Sequence, residues 1–181
     1  MSEFSIDPED GTIHLSSGAS LNANLTQKAL RADPAFADAR DRDYGTLPWV
    51  HFEFCGGQVD GHNLFVSACF YDQTLVDVSI SADLYPPGAK DWSSYSFDTE
   101  TEIKLYHDEL LRQMFNSKPK KIRPMEMQSK QHAPLGRAIY WPFKWGRTGS
   151  YHDSKGGGTY ICVAYGKRKE ECSIAYRKRE P

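Results

Sequence analysis

The middle of the chain alternates. Val50, Phe52 and Phe54 are separated by His51 and Glu53; Leu64, Val66, Ala68 and Phe70 alternate with Ser67 and Cys69; Val76, Val78, Ile80 and Ala82 alternate with Asp77, Ser79, Ser81 and Asp83. A period of two is the strand period, with one face buried and the other wet. Gly56-Gly57, Asp60-Gly61 and Asp72-Gln73 supply turn residues, so Trp49 to Leu84 is predicted to be a three-stranded antiparallel meander, ended by Pro86-Pro87-Gly88.

The pattern then changes. From Ser96 to Asn116, Ile103, Tyr106, Leu110 and Met114, with Leu111 at the edge, recur at helical spacing. Asp98 is the expected N-cap, Glu100 and Glu102 suit the positive end of the helix dipole, and His107 falls at the wet edge of the stripe. Leu25 to Ala32 reads as a short helix stopped near Pro34, and Phe4 to Leu15 as a hairpin around Pro8 and Asp10-Gly11. Residues 33–48 read as a polar loop. Residues 117–134 read as a mobile basic loop, with a short strand near Met125–Met127. Ile139 to Tyr151 and Thr159 to Tyr165 are strand-like, and the tail from 167 to 181 either adds a strand at Cys172–Tyr176 or frays. The expected fold class is α+β: a single domain over 1–181, its antiparallel sheet built from the meander plus N- and C-terminal hairpins, packed by one main and one short helix.

Composition narrows the picture. Hydrophobic residues are 39% of 181 and charged residues 25%, which suits a soluble folded chain. No run approaches the ~20 apolar residues of a membrane-spanning helix, and the start has no basic-then-apolar signal. Four cysteines without a C-x-x-C pair read as reduced thiols in a cytoplasmic protein. Charge is lopsided: residues 1–116 hold 19 acidic and 7 basic side chains, residues 117–181 hold 5 and 15, and the net is −2.

Candidate chemistry is thin. Lys155-Gly156-Gly157-Gly158 has its lysine before the glycines and a strand after them, the reverse of a phosphate-binding loop, so it reads as a hairpin tip. No metal-ligand spacing is present, and neither metal nor cofactor is expected. His51 and Glu53, on one strand face, are the residues an enzyme reading would use; their plainer reading is the solvent face of a sheet. The basic last third, with Tyr140, Trp141, Phe143 and Trp145, offers a nucleic-acid reading, against which stand a pI of about 6.3 and the absence of a nucleic-acid-binding motif. Asp38, Asp41 and Asp43 with Asp91 offer an acidic surface for a basic partner, with Trp92 and Trp49 as aromatic anchors.

The order "FSIDPEDGTIHL", "LNANLT", "WVHFEF…VDGHNLFVSACFYDQTLVDVSIS", acidic amphipathic helix, "WGRTGSYHDSKGGGTYICVAYG" resembles small bacterial cytoplasmic proteins of toxin-immunity loci, of the polymorphic-toxin and type VI secretion kind. Trp145, Gly146, Ser150, Asp153, Lys155, Gly156 and Gly157 match their C-terminal W-G-x-x-x-S-x-x-D-x-K-G-G hairpin, and residues 117–138 look like an insertion. The resemblance implies an α+β protein that neutralises a cognate toxin, such as a nuclease, by binding and occluding it. No catalytic residues carry over. The expected contact residues are Asp38, Asp41, Asp43, Asp91 and Trp92.

Overall fold

A computed structural model of the chain describes residues 4–42, 48–85, 96–121, 130–156 and 158–166. Three short strands, β1 (Ser5–Ile6), β2 (Ile13–His14) and β3 (Ser20–Leu21), form a small antiparallel sheet. Helix α1 (Gln27–Ala32) and a 3-10 turn (Pro34–Phe36) lead to β4 (Arg40–Arg42). The meander follows as β5 (Trp49–Val59), β6 (His62–Tyr71) and β7 (Thr74–Ala82), then helix α2 (Phe97–Met114), then β8 (Lys120–Lys121), β9 (Ile139–Pro142), β10 (Gly146–Asp153) and β11 (Gly158–Tyr165). Strands β4 to β11 make one eight-stranded sheet in the order β4-β5-β6-β7-β11-β10-β9-β8, every pair antiparallel. The α+β class and the meander hold.

Register assigns the two faces. Phe52 and Phe54 pair with Ala68 and Val66, these with Val78 and Ile80, and these with Val163 and Ile161. All eight are buried and look the same way, forming the inner face. Leu15, Leu21, Leu30 and Phe36 of the N-terminal elements join that core, and Phe36 meets Phe54 edge to face with ring centroids 5.1 Å apart. Arg31 of α1 lies 4.6 Å over the Phe52 ring while its guanidinium pairs with Asp41 at 2.6 Å, which ties α1 to the edge strand β4. Helix α2 covers the β10–β11 end of the same face.

Five details differ from the pattern-based expectation; one is β8, which lies inside the loop expected at 117–134 and pairs with β9. Gly56-Gly57 is not a turn: β5 runs on to Val59 through a bulge there, and the reversal is at Asp60-Gly61, both at positive φ. The polar loop at 33–48 contains β4, whose three charged, exposed residues carry no hydrophobic alternation; a charged edge strand of this kind resists pairing with other chains. The N-cap of α2 is Ser96, whose hydroxyl accepts from the Thr99 N–H at 3.0 Å, and Asp98 sits in the first turn. The N-terminal hairpin gains a third strand, β3. The strands expected at Met125–Met127 and Cys172–Tyr176 lie outside the described residues.

The small sheet is fastened to the large one at Gly11. Its φ is +78°, its carbonyl accepts from the Tyr165 hydroxyl at 2.9 Å, and a Cβ there would stand 2.6 Å from the Trp145 ring, whose Nε1 donates to Pro8 O at 3.0 Å. Gly11→Ala therefore combines backbone strain with overpacking and is expected to lower unfolding free energy by about 2–3 kcal/mol. Urea unfolding of the two proteins measures it, and an unchanged midpoint would show that this contact does not anchor the small sheet.

Candidate functional site

The outer face is the one that neither α1, α2 nor the small sheet covers. Side chains on it fall into rows across the strands. One row runs Arg42, His51, Cys69, Asp77, Ala164, Arg147; the next runs Arg40, Glu53, Ser67, Ser79, Cys162, Gly149; a third holds Cys55, Phe65, Ser81, Tyr160 and Tyr151. The second and third rows form a groove of about 600 Å³ crossing from β4 to β11. Its middle is floored by the hydroxyls of Ser67 and Ser79, Phe65 stands in it at 55% exposure, and Arg40, Arg42, Glu53 and Asp38 edge it. At the near end of the face Trp49 and Tyr71 pack edge to face, ring centroids 4.9 Å apart; at the far end Tyr151 and Tyr160 stack at 6.4 Å.

The sequence-derived candidates distribute unevenly. Asp38 lies at the groove rim, where its carboxylate accepts from the Cys55 N–H at 3.0 Å. Asp41 points to the other side of β4, toward Arg31. Arg40 and Arg42 alternate with these acids, so the described part of the acidic loop, with Asp33, carries three acids against two arginines. Asp43, Asp91 and Trp92 lie outside the described residues. His51 and Glu53 do share the outer face: Arg42 donates to Glu53 at 2.8 Å, and His51 Nε2 lies 3.6 Å from Cys69 Sγ. Burial holds His51 below the ordinary imidazole range, with Glu53 opposing. Cys69 is 2% exposed, so its thiol is sealed, while His51 is partly exposed. Asp153 to Gly158 closes the β10–β11 hairpin, as expected.

Asp77 stands out in the central strand. It forms no hydrogen bond or ion pair among the described residues, and burial pushes its carboxyl up to about 6. Its cross-strand neighbours Cys69 and Ala164 offer it no charge.

A second polar group lies under α2 and corrects the expectation for that helix. Glu100, Lys104, His107 and Leu111, at i, i+4, i+7 and i+11, form the centre of its buried face; Ile103 and Leu110 flank one side, Asp108 and Phe115 the other. His107 is 1% exposed and not at a wet edge. The cause is what the sheet offers: Thr148, Ser150 and His152 of β10 and Thr159 of β11 all face inward. Tyr85 donates to Glu100, and His152 Nδ1 stands 3.8 Å from its other oxygen, too long for a hydrogen bond. Burial pushes Glu100 up, but the neighbouring His152, Tyr85 and Thr159 outweigh it and hold the carboxyl below its ordinary value. Lys104 donates to Asp108 in a buried i, i+4 pair; burial lowers its pKa against the pull of Asp108. His107 Nε2 accepts from the Ala82 N–H at 3.1 Å and so stays neutral; burial, with Lys104 nearby, lowers its pKa to about 3. Thr159 also lines the outer groove, while Glu100, Lys104, His107 and Asp108 of the helix do not. They lie in a buried interface held by several hydrogen bonds, in which Glu100 Oε2, His107 Nδ1 and Ser150 Oγ have no hydrogen-bond partner among the described residues. Among the described residues no group of three His, Cys, Asp or Glu side chains converges as a metal site would require.

The chain was compared with models of known protein families, with characterised proteins and with solved structures, and none of them matches.

Two pH effects follow, with opposite signs. His107 titrates near 3 folded and near 6.5 free, so its stability contribution is complete above about pH 6.5 and falls as pH drops toward 3, by about 1.4 kcal/mol per unit at most. His107→Gln keeps an acceptor for Ala82 and is expected to flatten that slope in urea midpoints between pH 7 and pH 4.5; an unchanged slope would move the acid sensitivity to other groups. Asp77 is raised from 3.8 to about 6, so no cost exists below pH 3.8 and the full cost exists above 6. Asp77→Asn is expected to raise unfolding free energy by about 1–2 kcal/mol at pH 8 and leave it unchanged at pH 3.5, with equal effects at both pH values as the contrary result.

Proposed function

We propose that this chain is an immunity-type binding protein that neutralises a cognate antibacterial toxin by covering it with the outer face of the eight-stranded sheet. The observation that carries the reading is Phe65, a large ring more than half exposed in the middle of a groove whose walls bear charges and whose floor bears hydroxyls. An apolar anchor with a polar rim is the anatomy of a protein interface. The aromatic pairs Trp49–Tyr71 and Tyr151–Tyr160 extend the same face on either side. The resemblance in the ordered sequence blocks and the C-terminal hairpin supports the choice of a toxin as the partner. The enzyme reading is weaker because Glu53 is held by Arg42 and the Cys69 thiol beside His51 is buried.

Asp38 at the rim keeps its place in this proposal. Asp41 does not, since its carboxylate is engaged with Arg31 on the far side of β4. The chain, titrated with the toxin domain encoded beside its gene, is expected to bind at nanomolar affinity. Phe65→Glu should weaken binding by about a hundredfold or more, and Asp38→Lys should slow association. Wild-type affinity in Phe65→Glu would remove the groove from the interface, and no binding to any neighbouring toxin domain would remove the proposal.

A further inference from the structure

A polar side chain sealed from water normally finds a hydrogen-bond partner, because an unmade bond leaves its desolvation uncompensated. Three side-chain atoms beneath α2 break that rule. Glu100 Oε2, His107 Nδ1 and Ser150 Oγ have no partner among the described residues, and their residues are 0%, 1% and 0% exposed. The surroundings fix what each atom lacks. His107 Nε2 accepts from the Ala82 N–H at 3.1 Å, so in the neutral ring Nδ1 carries the proton and is a donor without an acceptor. Glu100 Oε1 accepts from the Tyr85 hydroxyl, which leaves Oε2 an acceptor without a donor. His152 Nδ1 stands 3.8 Å from Oε2, beyond bonding distance, and is engaged with Thr159 Oγ1 at 3.0 Å. Lys104, between Glu100 and His107 on the helix, donates to Asp108. The Ser150 hydroxyl can act as donor or acceptor.

These atoms come from facing elements. Glu100 and Lys104 are four residues apart and Lys104 and His107 three, so their side chains follow one another along the buried face of α2. On β10, Ser150 lies two residues before His152 and points to the same side, where the His152 ring faces Glu100. The donor on His107 and the acceptor on Glu100 do not bond each other, so a third group must accept from one and donate to the other. A metal cation cannot accept from an N–H, and an anion would meet the Glu100 and Asp108 carboxylates. Water has two O–H donors and two lone pairs, and a buried water makes about three such bonds. We propose that an ordered internal water lies beneath α2, accepting from His107 Nδ1–H, donating to Glu100 Oε2 and bonding to Ser150 Oγ. It joins the helix to β10, where the direct bonds leave these three atoms unmatched. The site is on the inner face of the sheet and does not depend on what the outer groove binds.

Two measurements on the full chain test this. The first is a crystal structure that resolves ordered solvent. A solvent peak is expected within hydrogen-bond distance, about 2.7–3.2 Å, of His107 Nδ1 and Glu100 Oε2 together. A direct bond from either atom to another protein group, or a well-ordered interface with no peak between them, would overturn the site.

The second is NMR of the isotopically labelled protein at neutral pH. The His107 Nδ1–H proton is expected as a resolved signal protected from solvent exchange, with a cross-relaxation peak at the water frequency. A serine hydroxyl that exchanges with solvent can imitate such a peak, so the measurement is repeated on Ser150→Ala, which keeps two of the three partners. The peak should persist there. Its loss in Ser150→Ala while the His107 signal remains would assign it to the hydroxyl and overturn the site. A protected His107 signal with no peak at the water frequency in the wild type, or a signal lost to exchange with bulk solvent, would do the same.

Discussion

The ladder between β7 and β11 is the interaction on which the rest depends. It pairs Ile80 with Ile161 and Val78 with Val163, four side chains with at most 1% exposure. It joins strands about eighty residues apart, and it fuses the meander to the C-terminal hairpin. Closure entropy grows only with the logarithm of loop length, so the intervening segment adds little cost to that pairing, while burial of four β-branched side chains opposes it at about 1.5–3 kcal/mol each. The same ladder sets Asp77 opposite Ala164 and Ser79 opposite Cys162, and so brings groups from both halves of the chain onto one outer surface.

The two faces of that sheet answer to different constraints. Under the N-terminal elements the inner face is apolar, and packing there is joined by a few polar contacts, such as those to Gly11 O and Pro8 O. Under α2 it is polar, with threonine, serine and histidine facing glutamate, lysine and histidine. Such an interface is less stabilising than a hydrophobic one of equal area, because every group must be desolvated. What it adds is directionality: the His107–Ala82 bond and the Tyr85–Glu100 bond allow α2 one rotation and one axial position. The outer face carries no such burden. There an exposed Phe65 and an unpaired Asp77 stand on a rigid sheet, and both disfavour the isolated protein.

Much of the fold was legible along the chain. Alternation at Val50 to Ala82 indicates which side chains share a face, and the structure keeps that assignment except at the start of β7, where a register shift opposite Cys69 and Phe70 buries Leu75 and leaves Val76 partly exposed, and at Cys69, which is buried. It fails where hydrophobic content is absent or where polar groups are buried. Arg40 to Arg42 forms a strand with no apolar residue, because pairing of its backbone with β5 is enough. In α2 the apolar positions Ile103, Tyr106 and Leu110 mark one stripe, while the helix buries Glu100, Lys104 and His107 at the centre of its packed face. The spacing i, i+4, i+7 and i+11 was visible, but nothing local said those polar residues would find polar partners. Of the expected contact residues, Asp38 reaches the groove and Asp41 is taken up by Arg31, a partner ten residues back that only the packing of α1 on Phe52 brings near.

Periodicity and turn chemistry are local properties, and they were enough to settle the class of fold, the meander, the hairpin at Lys155 and the faces of most positions in β5, β6 and β7. Strand order and helix rotation were not, because they depend on pairing between segments that share no local signal. Phe65, Asp77 and Tyr160 each occupy an ordinary outward position in their own strands. They become one surface only because backbone hydrogen bonds align β6, β7 and β11 in a single register, and register is a property of the folded chain.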